Sequence, residues 1–253
     1  MDLHLKNQVV LVTGGSTGLG CAISTMLAAE GAKVAINYIV NPDVAKTLAG
    51  ELTATHGVPT LAVYADISKE ADVLAMFEEV ERTLGPIDAL VNNAAYVDNS
   101  SCANLTLDEF RKTIDVNLQG MFLCSREVIR RLTARGAKGR IVNVASQAAV
   151  RGSMHGKTAY DTTKAGMCGF TRSLAYEVGP LGINVNAILP GFMYTEMISK
   201  EIDANLEATK RRSLLHRIAH VDEVAQVAVF LASDRAGYMI GASVDVSGGM
   251  ALH

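Results

Sequence analysis

Residues 9–20 read VVLVTGGSTGLG: four apolar residues, a threonine, then four glycines within the next seven positions. A short apolar, β-branched run that ends in glycines and passes into the helical pattern CAISTMLAAEG predicts a strand, a tight turn and a helix. Glycines at such a turn permit positive φ and let the backbone approach a pyrophosphate. The N–H groups and dipole of a helix N-terminus favour that charge. A glycine-rich turn alone is an ordinary structural feature, but its place after a first strand and before an apolar helix marks it as a candidate phosphate cradle. The spacing is TGxxxGxG, not the GxGxxG of the general dinucleotide fingerprint.

The same unit repeats along the chain. Strands are predicted at VVLVT (9–13), KVAIN (33–37), TLAVYA (60–65), DALVNN (88–93), RIVNVAS (140–146), INVNAIL (183–189) and SVDVS (243–247). Most are nearly continuous apolar runs, as expected of a parallel sheet covered on both faces. Between them lie the helical patterns CAISTMLAAEG, DVAKTLAGELTATHG and KEADVLAMFEEVERTLG, one from about Leu107 to Arg135 and one from about Lys157 to Val178. Gly31, Gly57 and Gly85 follow helical runs where left-handed caps are wanted. The alternation predicts a single-domain, doubly wound Rossmann α/β fold: a seven-stranded parallel sheet with helices on both faces. One domain spans 1–253, with a cofactor half at about 1–140 and a catalytic and substrate half at about 141–253.

Composition excludes other classes. Hydrophobic residues at 49% and charged residues at 19% describe a globular chain, and a net charge of -3 argues against a dedicated nucleic-acid binder. The basic run Lys210-Arg211-Arg212 is short and reads as a solvated helix face. Cys21, Cys102, Cys124 and Cys168 are scattered with no CxxC pair, which predicts reduced thiols and neither a disulfide framework nor a metal site. No apolar run approaches the roughly 20 residues of a membrane helix, and MDLHLKNQ has no long apolar core. The chain reads as soluble, unexported and cytoplasmic.

In the stretch AYDTTKAG (159–166), Tyr160 and Lys164 stand four apart, on one helix face. A free tyrosine has a pKa of about 10 and is a sluggish base; a nearby cation stabilises its phenolate and lowers that value. Spacing alone also fits an exposed surface pair. Ser146, ending the fifth strand where ligands bind in such a sheet, can hydrogen-bond a substrate oxygen as charge develops on it. Asn117 lies inside the long helix, where asparagine is a poor former and invites a non-local explanation; a buried amide satisfied by backbone is the plain alternative.

TGGSTGLG, NNAA at 92–95, Asn117 in DVNLQG, Ser146 in IVNVAS, YDTTK and Pro190-Gly191 in LPGFMYTEM together resemble the short-chain dehydrogenase/reductases over almost the whole chain. Ala95 stands where that family usually has glycine. The resemblance implies hydride transfer between a nicotinamide and a carbon bearing oxygen. Tyr160 is then the general acid/base, Ser146 holds the substrate oxygen, and Lys164 lowers the tyrosine pKa and binds the nicotinamide ribose. Asn117 holds a water linking Lys164 to a proton relay. Cofactor contacts are implied at Gly14, Ser16, Thr17, Gly18, Leu19, Gly20, Tyr38, Asp66, Ile67, Asn93, Ala94, Tyr160, Lys164, Pro190, Gly191, Met193 and Thr195. Asp66 fits an N-terminal cap for Ser68 nearly as well.

Cofactor choice turns on the end of strand two. An acid there binds the ribose 2′-hydroxyl of NAD and repels a 2′-phosphate. KVAINYIV has none, and Tyr38 aligns with the usual aspartate, which favours NADP(H); Ile39 in place of arginine keeps NAD(H) possible. Tyr96, Gln147, His155 and Tyr194 are the candidate substrate residues, with Met197 beside them. The polar members suit a sugar or polyol, while Met154, Met193 and Met197 suit an apolar pocket. Arg151, Lys157 and Arg172 keep a 3-oxoacyl-carrier-protein reductase as the alternative. A cofactor-binding redox sensor would lack Ser146, Tyr160 or Lys164, and a methyltransferase would not need them in this order. The resemblance further implies a homotetramer joined through the helices carrying Asn117 and Tyr160, with VDVSGGMALH near a second interface.

Overall fold

The computed structural model describes residues 2–153, 156–195 and 205–251. Seven parallel strands form one sheet: β1 (Val9–Val12), β2 (Lys33–Tyr38), β3 (Thr60–Tyr64), β4 (Ala89–Asn92), β5 (Gly139–Val144), β6 (Ile183–Pro190) and β7 (Ser243–Val246). Their order is β3-β2-β1-β4-β5-β6-β7, so the winding reverses between β1 and β4. That switch point is where ligands meet an open α/β sheet. Every predicted strand is present, and β1, β4 and β5 are buried along their whole length, which is why they lack a polar alternation.

Helices cover both faces. One apolar cluster joins the sheet to α1 (Gly18–Ala29), α2 (Pro42–His56) and α9 (Val221–Leu231); a second joins it to α3 (Glu70–Leu84), α5 (Met121–Ala134) and α7 (Thr158–Val178). Shorter helices are α4 (Leu107–Ile114), α6 (Ala148–Arg151) and α8 (Leu206–Lys210). α4 starts at a full capping box between Thr106 and Glu109. Of the expected left-handed caps, Gly57 has φ 67° and ψ 20°, whereas Gly85, at φ 103° and ψ -177°, turns into extended backbone.

The short helices α6 and α8 lie outside the expected helical runs, and two further features differ from expectation. The helix from Leu107 to Arg135 is interrupted by a π-helical turn, Asp115–Gly120, so Asn117 sits in a widened segment between α4 and α5. The helix α9 was not predicted, because VDEVAQVAVFL is rich in valine and lacks a plain polar stripe. It is started by a capping box in which His220, not a hydroxyl residue, pairs with Glu223.

Candidate active site

The turn after β1 is shaped by what it excludes. Gly14 and Gly18 have φ of 59° and 51°, and a Cβ on Gly20 would lie 2.1 Å from Gly14 O. Gly14, Gly15 and Gly20 leave no room for a side chain, and α1, with Thr17 as its N-cap, starts without a side-chain cap hydrogen bond and without an acid in its first turn. Its N–H groups and dipole are thus left to an anion, which is the fit a dinucleotide pyrophosphate requires. Ser16 is buried and Thr17 exposed at this turn, while Leu19 packs into the core.

Three polar side chains fasten this turn to its neighbours: Asn93, one of the implied cofactor contacts, and Thr13 and Asn37, to which the sequence assigns no role. Asn37 accepts from Gly14 N–H through Oδ1 at 3.2 Å and donates to Ala65 O at 3.1 Å. Asn93 donates through Nδ2 to Thr13 O and Gly14 O, both at 3.0 Å. The Thr13 hydroxyl accepts from the N–H groups of Asn93 (3.0 Å) and Ala94 (3.1 Å). The ends of β1, β2, β3 and β4 are thereby one hydrogen-bonded rim; a polar residue closing each apolar run is the available sequence signal. Tyr38 packs edge-on against Tyr64 with ring centroids 6.0 Å apart, and Ile39 and Val40 beyond it are exposed.

Asp66 closes a local turn ahead of α3, whose N-cap is Lys69. Its Oδ1 accepts from Ser68 N–H (3.1 Å) and Oγ (2.6 Å), and Lys69 stands 3.3 Å from Oδ2. Burial opposes its ionisation, but the Ser68 bonds and the Lys69 ammonium outweigh that and hold the carboxyl below its usual value. Ile67 is buried and packs on the π turn, where a Cβ at Gly120 would meet its Cγ1 at 2.7 Å.

Ser146, Tyr160 and Lys164 converge at the ends of β5 and β6. The Ser146 hydroxyl accepts from Ala148 N–H at 3.1 Å and lies close enough to the Tyr160 phenol to favour its ionised form. Lys164 is 2% exposed; its Nζ donates to Val144 O at 2.6 Å and lies 5.4 Å from the Tyr160 ring centroid. Burial pulls its pKa down to about 7. Tyr160 moves the other way. Burial pushes the phenol up to about 12, with the Ser146 hydroxyl opposing and Asp161 adding to the rise. The expected lowering by Lys164 is not found in the folded chain, because the ammonium is directed to a main-chain carbonyl and the ring face, not to the phenolic oxygen.

Asn117 is buried, and its amide is committed. Oδ1 accepts from Tyr96 N–H at 2.7 Å, and Nδ2 donates to Tyr96 O (2.9 Å) and Thr163 Oγ1 (3.0 Å). It therefore joins the loop after β4 to α7 three residues from Tyr160 and one from Lys164. Asp161 accepts from Ser153 N–H and Oγ and so ties the loop before α7 to that helix. Nothing in the sequence pattern marks this second tie.

At the end of β6, Pro190 is buried and Gly191 lies under the last turn, where a Cβ would be 2.8 Å from Ser247 Cα. The Thr195 side chain lies over the glycine turn, 3.5 Å from where a Cβ of Gly18 would be. Met193 is buried in the core and Tyr194 is exposed. Tyr96 lies under Lys112, whose Nζ is 4.1 Å from its ring centroid. Gln147 is buried beside Ser146. His155, Met154 and Met197 fall outside the described residues. Among the described residues no group of His, Cys, Asp or Glu could hold a metal ion, and no helix is long and apolar enough to cross a membrane.

Comparison with known proteins gives this geometry its setting. A family model described as enoyl-(acyl carrier protein) reductase matches residues 14–251. Acetoacetyl-CoA reductase of Shinella zoogloeoides is 40% identical over 245 residues, covering 96% of this chain and 98% of that protein. The 3-oxoacyl-[acyl-carrier-protein] reductase FabG of Aquifex aeolicus is 36% identical over 250 residues, covering 99% and 100%. The crystal structure of a short-chain type dehydrogenase/reductase from Mycobacterium marinum superposes with a TM-score of 0.94 at 28% identity, covering 100% of this chain and 98% of that one. Likeness of this extent means that the chain, with its glycine turn and its clustered serine, tyrosine and lysine, belongs to the short-chain dehydrogenase/reductase family.

Proposed function

We propose that this oxidoreductase transfers a hydride between NADP(H) and a small secondary alcohol or ketone, a sugar or polyol first among them. The observation that carries the reading is the cluster of Ser146, Tyr160 and Lys164 at the ends of β5 and β6, on the same edge of the parallel sheet as the glycine turn. Nicotinamide supplies the hydride acceptor or donor when bound. Tyr160 gives its proton to the carbonyl oxygen in reduction or takes the alcohol proton in oxidation, and Ser146, beside that phenol, holds the same oxygen. Lys164 stabilises the phenolate when charged and reaches the nicotinamide ribose. Asn117 acts on the relay through its main chain, since its amide is spent on Tyr96 and Thr163. Pro190, Gly191 and Thr195 orient the carboxamide, and Tyr194, beside them, faces substrate. The division into a cofactor half before about residue 140 and a substrate half after it follows the same placement.

The rim after β2 supports NADP(H) over NAD(H): no carboxylate stands among Asn37, Tyr38, Ile39 and Val40 to repel a 2′-phosphate. A homotetramer in the cytoplasm completes the proposal. It is supported by an apolar groove of about 650 Å³ along α5 and α7, where Leu118, Phe122 and Phe170 meet. A second reading, reduction of a 3-oxoacyl thioester, is favoured by the names of the relatives above and by the exposure of Arg151 and Arg172. The test is fluorescence titration with NADPH and NADH, then nicotinamide absorbance against sugars, polyols, ketones and acetoacetyl-CoA. Turnover is expected with a hydroxylated member; turnover confined to the thioester would select the second reading, and tight binding with no turnover would overturn both.

A further inference from the structure

Gln147 is the one buried side-chain amide among the described residues with neither end hydrogen-bonded. Its relative exposure is 3%, and neither Nε2 nor Oε1 meets a partner. Asn37, Asn117, Asn143 and Asn186, equally buried, all have both ends bonded or their donors placed. Burying an amide without partners carries a desolvation penalty, and native chains seldom keep one without a reason.

The position of Gln147 supplies the reason. It follows Ser146 directly, and its N–H donates to Pro190 O at 3.0 Å, which pins the residue between the end of β5 and the turn Gly191–Thr195. Its carbonyl accepts from Val150 and Arg151 N–H, at 3.1 and 3.0 Å, and starts α6. The main chain is fully used and rigid, and the side chain is not used at all. A primary amide presents a donor and an acceptor together. A substrate hydroxyl returns both bonds; a ketone or thioester carbonyl returns only the one to Nε2 and leaves Oε1 bare.

We propose that Gln147 sets substrate specificity: its amide recognises a hydroxyl on a carbon close to the one that exchanges hydride, selecting hydroxyketones and polyols over simple ketones and oxoacyl thioesters. This rests on the hydride-transfer reading above. The test is Gln147→Met, which keeps length and removes both polar atoms. Thermal melting of the ligand-free variant is expected at or above the wild-type temperature, because a buried unpaired amide has been replaced by apolar atoms. A clear fall would show that the amide has a structural partner, such as a buried water, and would overturn the proposal.

Steady-state rates on acetoin against butanone, and dihydroxyacetone against acetone, complete it. Wild type is expected to favour the hydroxylated member of each pair by about 10- to 100-fold in kcat/KM, and the variant to lose that preference through the hydroxylated member alone. Equal rates for the two members in wild type, or equal losses on both in the variant, would overturn the proposal while leaving hydride transfer intact. NADPH binding with turnover of neither pair, nor of their alcohols, would instead sink the hydride-transfer reading, and the melting comparison would still decide whether the amide lacks a partner.

Discussion

The ends of β1 to β4 and the ends of β5 and β6 lie along one sheet edge, yet they are built on opposite terms. At the first, Thr13, Asn37 and Asn93 use their polar atoms on backbone groups of neighbouring turns, and what remains for a ligand is bare glycine backbone and a helix N-terminus. At the second, Tyr160 holds its proton with a pKa near 12, Lys164 is pulled to about 7, and Gln147 keeps an unpaired amide. The first region is finished by folding and offers shape. The second retains unfavourable burial that a ligand relieves, which is how groups are tuned for chemistry and why polar rules are broken at functional sites.

Removing one oxygen from the second region should have the largest effect. Tyr160→Phe is expected to lower kcat by about 10²–10⁴-fold, the usual range for a positioned proton donor, with NADPH affinity by fluorescence unchanged. Full turnover in that variant would take the phenol out of proton transfer. Filling the first region should have a smaller and different effect. A Cβ at Gly20 meets Gly14 O at 2.1 Å and Asn93 Nδ2 at 2.6 Å, so the rim itself must shift. Gly20→Ala is expected to destabilise by about 1–3 kcal/mol and to weaken NADPH binding, read from urea unfolding and titration. Gly50→Ala, with open space at its position on α2, is the control and should stabilise by about 0.5–1 kcal/mol. Equal effects of the two would mean that the glycine turn is not shaped by close approach.

The same contrast governs how much the sequence discloses. All seven strands and the glycine turn are legible because each depends on local residue type and period, and Tyr160 with Lys164 is legible because helical spacing fixes a shared face. The π turn is not: the single clue is an asparagine out of place, and that asparagine's partner is the Tyr96 main chain, 21 residues away. The start of α9 escapes because its capping residue is a histidine. The direction of the Tyr160 shift escapes as well, since it depends on Lys164 reaching Val144 O and on the burial of the phenol, both of which are tertiary facts.

Lys164 gives the smallest and sharpest test of the stored burial. Its ammonium titrates near 7 in the folded chain, against about 10.4 in an unfolded one. Between those values the unfolded chain binds a proton that the native chain has shed, so stability rises as pH increases from about 7 toward 10; below that window both states are protonated and this group adds no slope. Tyr160 acts later and in the opposite sense. Its native pKa of about 12 exceeds the unfolded value of about 10, so its contribution is present below pH 10 and is lost as pH climbs toward 12. Urea midpoints should climb between about pH 7 and 8.5 in the wild type and not in Lys164→Met, because the methionine has no proton to lose; toward pH 10 the buried Cys124 thiol, pushed up to about 12, lowers both. A wild-type midpoint that does not climb would mean the native ammonium keeps its proton, held by Val144 O, and that the site carries a permanent cation before any ligand arrives.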